Sequence, residues 1–341
     1  MSLPVILEAY RSEVDAEIKD ILNGRQSPLY DMMRYHLGWI DDKGNPARNN
    51  SGKALRPALC LFSCEATGGN FHDALPAAAA LELVHNFSLI HDDIQDDDRE
   101  RRHRPTVWAI WGKPQAINAG TAMRILANSA IFRLPMDRIS LQKQLHISQR
   151  LDEISLKLIE GQYLDIDFED RFDIAVNDYM TMIDGKTAAL ISGSMEIGAC
   201  VGTDVGPVVD SFSRIGRNLG LAFQIRDDIL GIWGDQAETG KPSGNDIRRR
   251  KKSYPVVFAL ENCNGSLRKE LIATYQNGSI SDDSVNRVLG MFESLGAKAS
   301  AQKMVESYCN DAWQDFKSLQ LHPAVKDRMD EIIQFLTGRN Y

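Results

Sequence analysis

Between Leu81 and Trp108 the chain reads LELVHNFSLIHDDIQDDDRERRHRPTVW. This stretch constrains the fold more than any other. From His72 to Asp96 the residues are rich in Ala and Leu and apolar nearly all round, which places such a helix at the centre of a bundle. It ends in Asp92, Asp93, Asp96, Asp97 and Asp98, followed at once by Arg99, Arg101, Arg102 and Arg104. At about 100° per residue Asp92 and Asp96 share a helix face, with His85 and Ser88 below them on the same side. Carboxylates this close repel one another unless they protonate or find a cation. Hard oxygen ligands without cysteine suit Mg²⁺, which binds a few carboxylates and bridges to phosphates. The arginines are the matching half, since guanidinium forks grip phosphate oxygens. A solvated, charged helix end is the plain alternative for one such cluster taken alone.

A second cluster weighs against that alternative. GLAFQIRDDILGIWGD, Gly220 to Asp235, again carries paired aspartates, Asp227 and Asp228, on an apolar helix, with Gln224 one turn earlier. Two acidic helix ends can face each other across a bundle mouth and hold a diphosphate through Mg²⁺. Basic groups accompany them. Lys53 and Arg56 stand in SGKALRP at a helix entrance, where backbone N–H groups favour anions. Lys186 and Thr187 follow a glycine in MIDGKTAAL, and TGKPSGNDIRRRKKS supplies Lys241 and the run Arg248 to Lys252.

The remaining sequence narrows the class. The 341 residues are 43% hydrophobic and 25% charged, an ordinary globular composition with ample material for a core. A net charge of −8 argues against general nucleic-acid binding. The N-terminus has acids where a signal peptide needs an apolar core, and no apolar run reaches the ~18 residues of a membrane span. Cys60, Cys64, Cys200, Cys263 and Cys309 form no CxxC pair, which fits a reduced, cytoplasmic compartment. Helical periodicity is expected over Val5–Leu22, Ser27–Ile40, Arg56–Ala66 and His72–Asp96, then roughly over 113–133, 138–169, 174–201, 205–235, 254–276, 281–294, 296–317 and 322–337. Strand alternation is nowhere sustained. The expectation is one large all-α domain over 1–341, a helical bundle around a central apolar cavity.

Taken together, these motifs resemble the trans-isoprenyl diphosphate synthases of the polyprenyl synthetase family, in order from about Gly52 to Pro255. SGKALRP is similar to that family's GGKRxRP, and Asp92, Asp93, Asp96, Arg101 and Arg102 match its DDxxD followed by RR. Lys186-Thr187 matches KT, while Phe223, Gln224, Asp227 and Asp228 match FQxxDD. Lys241, Gly244, Asp246 and Lys251 match GKxxGxD…K. Two positions depart from the pattern: Gly231 stands where the second motif usually has a third Asp, and His103 replaces a common Gly. Gly231 implies weakened metal binding at that end, with Asp235 one turn on as a helper.

The resemblance implies condensation of isopentenyl diphosphate with an allylic diphosphate. Asp92, Asp96 and Asp227 would hold Mg²⁺, three ions when substrate is bound, supported by Asp93 and Asp228. Arg101, Lys186, Lys241 and Lys251 would grip the allylic diphosphate. Lys53, Arg56, His85 and Arg102 would hold isopentenyl diphosphate, with Thr187 and Gln224 at the reacting centre. Phe87 and Ser88, five and four residues before Asp92, would set chain length, and an aromatic followed by a small residue resembles geranylgeranyl or farnesyl synthases. A geranylgeranyl product and a homodimer are expected. A terpene cyclase would need no isopentenyl pocket, and an inactive regulatory subunit is the reading that Gly231 keeps open.

Overall fold

The computed structural model describes residues 8–47, 54–234, 243–276 and 280–337. It is all-α apart from a two-residue ribbon and one isolated bridge between Ile40 and Pro46 among the described residues. In chain order the elements begin with α1 (Arg11–Ile21), α2 (Pro28–His36), α3 (Leu55–Ala66) and α4 (Phe71–Gln95). The ribbon β1 (Glu100–Arg101) and β2 (Arg104–Pro105) follows, then α5 (Val107–Trp111), α6 (Lys113–Ile131) and α7 (Leu141–Phe168). Next come α8 (Val176–Ile183), a wide π turn over Asp184–Ala188, α9 (Ala189–Gly202) and α10 (Gly206–Trp233). The rest is α11 (Asn245–Arg248), α12 (Tyr254–Asn262), α13 (Gly265–Gln276), α14 (Asp282–Ser294), α15 (Ala297–Ser318) and α16 (Pro323–Thr337).

The chain divides into two compact units. One comprises 3–155 and 193–212, the other 156–192 and 213–341 with the first two residues. In the first, α4 is the organising helix. Asn70 caps its start, the side chain accepting from the His72 N–H at 3.1 Å. Ala74, Ala77 to Leu81, Leu83 and Val84 are wholly buried, and α4 packs against α6, α3 and α1. The alanines let these neighbours approach closely, while each buried Leu contributes about 2 kcal/mol.

The second unit has its own core. Ile232 and Ile247 join Val256, Leu260, Leu271, Val288 and Phe292, drawn from α10 to α14. α12 packs on α8 and α15, and α15 also takes α14 and α16.

The periodic stretches became helices with two breaks. The expected 174–201 helix opens at the π turn, where backbones meet: a Cβ on Gly185 would lie 2.6 Å from the Lys157 carbonyl oxygen. The expected 254–276 helix is cut by Cys263, which is extended, and by Gly265 at φ +56°. The short α5 and α11 have too few turns to show periodicity.

Candidate active site

In the first unit, the acidic cluster sits on the negative end of α4. Asp96 is the C-cap, its N–H donating to the Asp92 carbonyl at 2.8 Å, and the last turn holds no basic residue. A 25-residue helix points its dipole the wrong way for these carboxylates, so the site favours cations. Asp93 turns inward. It is 1% exposed, and its Oδ1 accepts from Arg101 Nε at 2.7 Å. Its buried Oδ2 has no hydrogen-bond partner. Burial pushes the Asp93 carboxyl up to about 6 even against the Arg101 charge.

The ribbon brings the arginines back over this end. Arg101 pairs with Arg104 across a two-residue turn made of Arg102 (φ +53°) and His103 (φ +61°). Such a turn matches the strand twist but favours Gly. Arg104 holds the ribbon in place. Its guanidinium donates to the Tyr35 carbonyl at 3.1 Å and the Ile40 carbonyl at 2.9 Å, and lies 4.0 Å over the Tyr35 ring. Arg99 lies over Trp108 instead. Of the four arginines in the sequence cluster, Arg101 and Arg102 remain for a ligand. Together with His36, Asp93, Arg104 and Thr106 they line a small pocket.

Arg56 and His85 meet as the motifs imply, Arg56 Nη1 standing 3.3 Å from His85 Nε2. Burial and the neighbouring Arg56, Arg102 and Arg101 hold the His85 ring well below its ordinary pKa, so it is neutral and an acceptor. Burial also lowers Arg56 to about 10, and the Glu82 carboxylate opposes that fall. Glu82, absent from the motif reading, is buried, and its Oε1 accepts from Asn86 Nδ2 at 2.9 Å. Its only sequence signal is a charge in an otherwise apolar helix. Phe87 is buried with its ring edge-to-face on His91 at 5.7 Å, and the Ser88 hydroxyl donates to the His85 carbonyl at 2.8 Å. Lys53 and Lys241 lie outside the described residues, as does Asp235.

In the second unit, the π turn presents Lys186 and Thr187. Lys186 pairs with Asp165 on α7, a partner the motifs did not name. Asp165 lies one turn beyond Gly161, and a Cβ on Gly161 would come within 2.8 Å of the Lys186 Cα. Thr187 Oγ1 donates to Gln224 Oε1 at 2.7 Å, and Gln224 Nε2 donates to Asp228 Oδ1 at 3.0 Å. Asp228 is 1% exposed, and its Oδ2 accepts from the Tyr179 hydroxyl at 2.5 Å and the Tyr254 N–H at 2.8 Å. Lys251 Nζ completes the set at 3.5 Å. The carboxylates Asp228, Asp246, Asp227 and Asp165 hold the Lys251 ammonium well above its ordinary pKa against burial.

Both motifs therefore share a design. In each adjacent pair the second aspartate, Asp93 or Asp228, is buried and paired with a protein group, and Asp92 or Asp227 is the one less buried. Among the described residues no three acidic, histidine or cysteine side chains converge to cage a metal. Mg²⁺ needs no such cage, because it keeps waters and takes one or two carboxylates plus phosphate oxygens. The donor set, all hard oxygen on the negative end of a helix, fits that ion.

Residues 39–292 match the family model described as polyprenyl synthetase. A (2E,6E)-farnesyl diphosphate synthase of Mycobacterium tuberculosis is 41% identical over 292 residues, covering 84% of this chain and 79% of that protein. A geranylgeranyl diphosphate synthase of the same organism is 38% identical over 302 residues, covering 88% and 85%. The crystal structure of a polyprenyl synthetase from Streptomyces coelicolor A3(2) superposes with a TM-score of 0.91 at 35% identity, covering 98% of this chain and 99% of that one. The chain belongs to the polyprenyl synthetase family of trans-isoprenyl diphosphate synthases.

Proposed function

We propose that this protein is a Mg²⁺-dependent prenyltransferase that joins isopentenyl diphosphate head-to-tail to an allylic diphosphate, giving mainly geranylgeranyl diphosphate. The observation that carries the reading is the end of α4, where a row of aspartates sits on the negative pole and Arg101 folds back onto it. Asp92, Asp96 and Asp227 would hold Mg²⁺, which when bound neutralises charge developing on the leaving diphosphate. Asp93 and Asp228 position their neighbours.

Arg101, Lys186 and Lys251, with Lys241, orient the allylic diphosphate. Arg56 and Arg102, with Lys53, bind the second diphosphate, and the neutral His85 accepts from Arg56 so that this guanidinium stays aimed. The Thr187–Gln224–Asp228 chain fixes the Gln224 amide beside the reacting carbons. The allyl cation forms, the isopentenyl double bond attacks it, and the departing diphosphate takes the proton. No unassigned Glu or His in the motifs is placed for that role.

The product assignment rests on Phe87, buried five residues before Asp92, with the small Ser88 after it. Two relatives of similar identity carry farnesyl and geranylgeranyl names, so the comparisons support a short chain. A homodimer is supported by apolar side chains left exposed on α6 and α7, among them Ile125 at 64% and Tyr163 at 68%, which a second copy would cover. The five cysteines are free and buried, in keeping with a cytoplasmic site, and no helix among the described residues is long and apolar enough to cross a membrane.

The test is incubation with Mg²⁺, isopentenyl diphosphate and dimethylallyl, geranyl or farnesyl diphosphate, with products sized by chromatography. Consumption of isopentenyl diphosphate ending at twenty carbons is expected. No consumption with any primer would sink the reading, and arrest at fifteen carbons would sink the product assignment.

A further inference from the structure

The basic run Arg248 to Lys252 ends in two adjacent lysines, and the structure gives them separate partners. The chain leaves α11 through Arg250, which holds φ +56°, a conformation that a residue with a Cβ keeps only where its surroundings enforce it. The Lys251 N–H donates to the Asp246 carbonyl at 2.9 Å, and its Nζ reaches Asp228 Oδ1 at 3.5 Å. Three residues on, the Tyr254 N–H donates to Asp228 Oδ2 at 2.8 Å. The strap 250–254 thus touches Asp228 on both sides of Lys252, whose own ammonium is held elsewhere.

Lys252 is 4% exposed. Its Nζ donates to the Glu169 carbonyl, just past the end of α7, at 2.5 Å. It also stands 4.2 Å from the centre of the Phe172 ring and 5.9 Å from that of Tyr275. The slot is itself fixed. Tyr275 belongs to the core of this unit, Phe172 packs against that core, and Arg268 Nη2 donates to the Phe172 carbonyl at 2.7 Å. Burial lowers the Lys252 ammonium to about 8, with Asp170 and Glu169 opposing the fall and Arg250 adding to it, so the group is charged at neutral pH. Lysine is among the side chains least often fully buried, and an aliphatic side chain would fill the same slot without desolvating a charge. Two ring faces and a carbonyl oxygen make that slot selective for a cation.

We propose that Lys252 is a positioning residue: its ammonium, seated between the Glu169 carbonyl and the Phe172 and Tyr275 rings, holds the strap 250–254 in the register that aims Lys251 at the allylic diphosphate. Lys252 itself touches no substrate in this arrangement and acts only through its neighbour. The inference rests on the role given to Lys251 above.

The test is steady-state kinetics with Mg²⁺, isopentenyl diphosphate and geranyl diphosphate, with thermal melting as a check on folding. Lys252→Met, close in length but uncharged, should raise the KM for geranyl diphosphate about tenfold, the scale of a buried cation–ring contact, and leave that for isopentenyl diphosphate unchanged. Lys252→Arg keeps the charge and should recover most of the loss. Phe172→Leu, which removes a ring and spares the lysine, should raise the same KM about threefold. Lys251→Gln combined with Lys252→Met should be no weaker than Lys251→Gln alone, because the two act as one unit. A parent that consumes no isopentenyl diphosphate overturns the proposed function and this inference with it. An active parent whose Lys252→Met variant keeps its KM for geranyl diphosphate, or raises both KM values alike, overturns the inference alone. So does a double variant whose losses add. Should Lys252→Met fail to melt cooperatively, Phe172→Leu decides, an unchanged KM for geranyl diphosphate overturning the inference.

Discussion

Asp93 and Asp228 are the same residue at the same place in two motifs, and both are 1% exposed, yet they are held differently. Asp228 is saturated: Tyr179 and the Tyr254 N–H serve one oxygen, Gln224 and Lys251 the other. Asp93 has Arg101 on one oxygen and a buried, unpartnered second oxygen. The second site is a rigid hub that joins α8, α10 and the segment leading into α12. The first is under-satisfied, with its charge penalised by burial. A carboxylate whose every lone pair is used by its own protein serves as scaffold, whereas one left half satisfied keeps an affinity for added cationic charge.

That contrast can be broken first at Asp228. Asp228→Ala should destabilise its unit by about 3 kcal/mol, since it orphans a buried hydroxyl, a buried N–H and part of an ammonium at once. Urea unfolding would read this, and a loss below about 1 kcal/mol would remove the distinction between hub and half-satisfied site.

An effect of similar size should follow pH. With its folded pKa raised to about 6 from 3.8, Asp93 binds more protons folded than unfolded in that interval. Stability should therefore fall as pH rises from about 4 to 6, by about 3 kcal/mol, and stay at the lower level above. Asp93→Asn should flatten this slope in melts across the window. An unchanged slope would show that Arg101 compensates Asp93 fully.

The smallest change lies in the ribbon over the first site. His103 holds φ +61°, and His103→Gly should raise stability by about 0.5 kcal/mol, relieved backbone strain outweighing the added freedom of the unfolded chain. A loss instead would mean that the imidazole itself holds the turn.

The motif residues legible in the sequence were those that belong to a recognisable family pattern. Arg56 with His85 and Thr187 with Gln224 meet as their motifs imply. Arg99 and Arg104 looked alike in sequence to Arg101, but one packs on Trp108 and the other is consumed by the Tyr35 and Ile40 carbonyls. No spacing rule could separate them, because their partners lie on other elements. Asp165, Tyr179 and Glu82 escaped for the same reason.

Sequence alone determined the all-α class, the central apolar helix and the residue types of both acidic sites, because periodicity and charge clustering are written in neighbouring positions. Only the tertiary structure decided which aspartate of each pair faces inward, which arginines are free to serve a ligand, and that Lys251 and Lys252, adjacent in sequence, take separate partners. Those outcomes depend on contacts between segments remote in the chain, where packing and the pairing of buried charges, rather than local propensity, set the geometry.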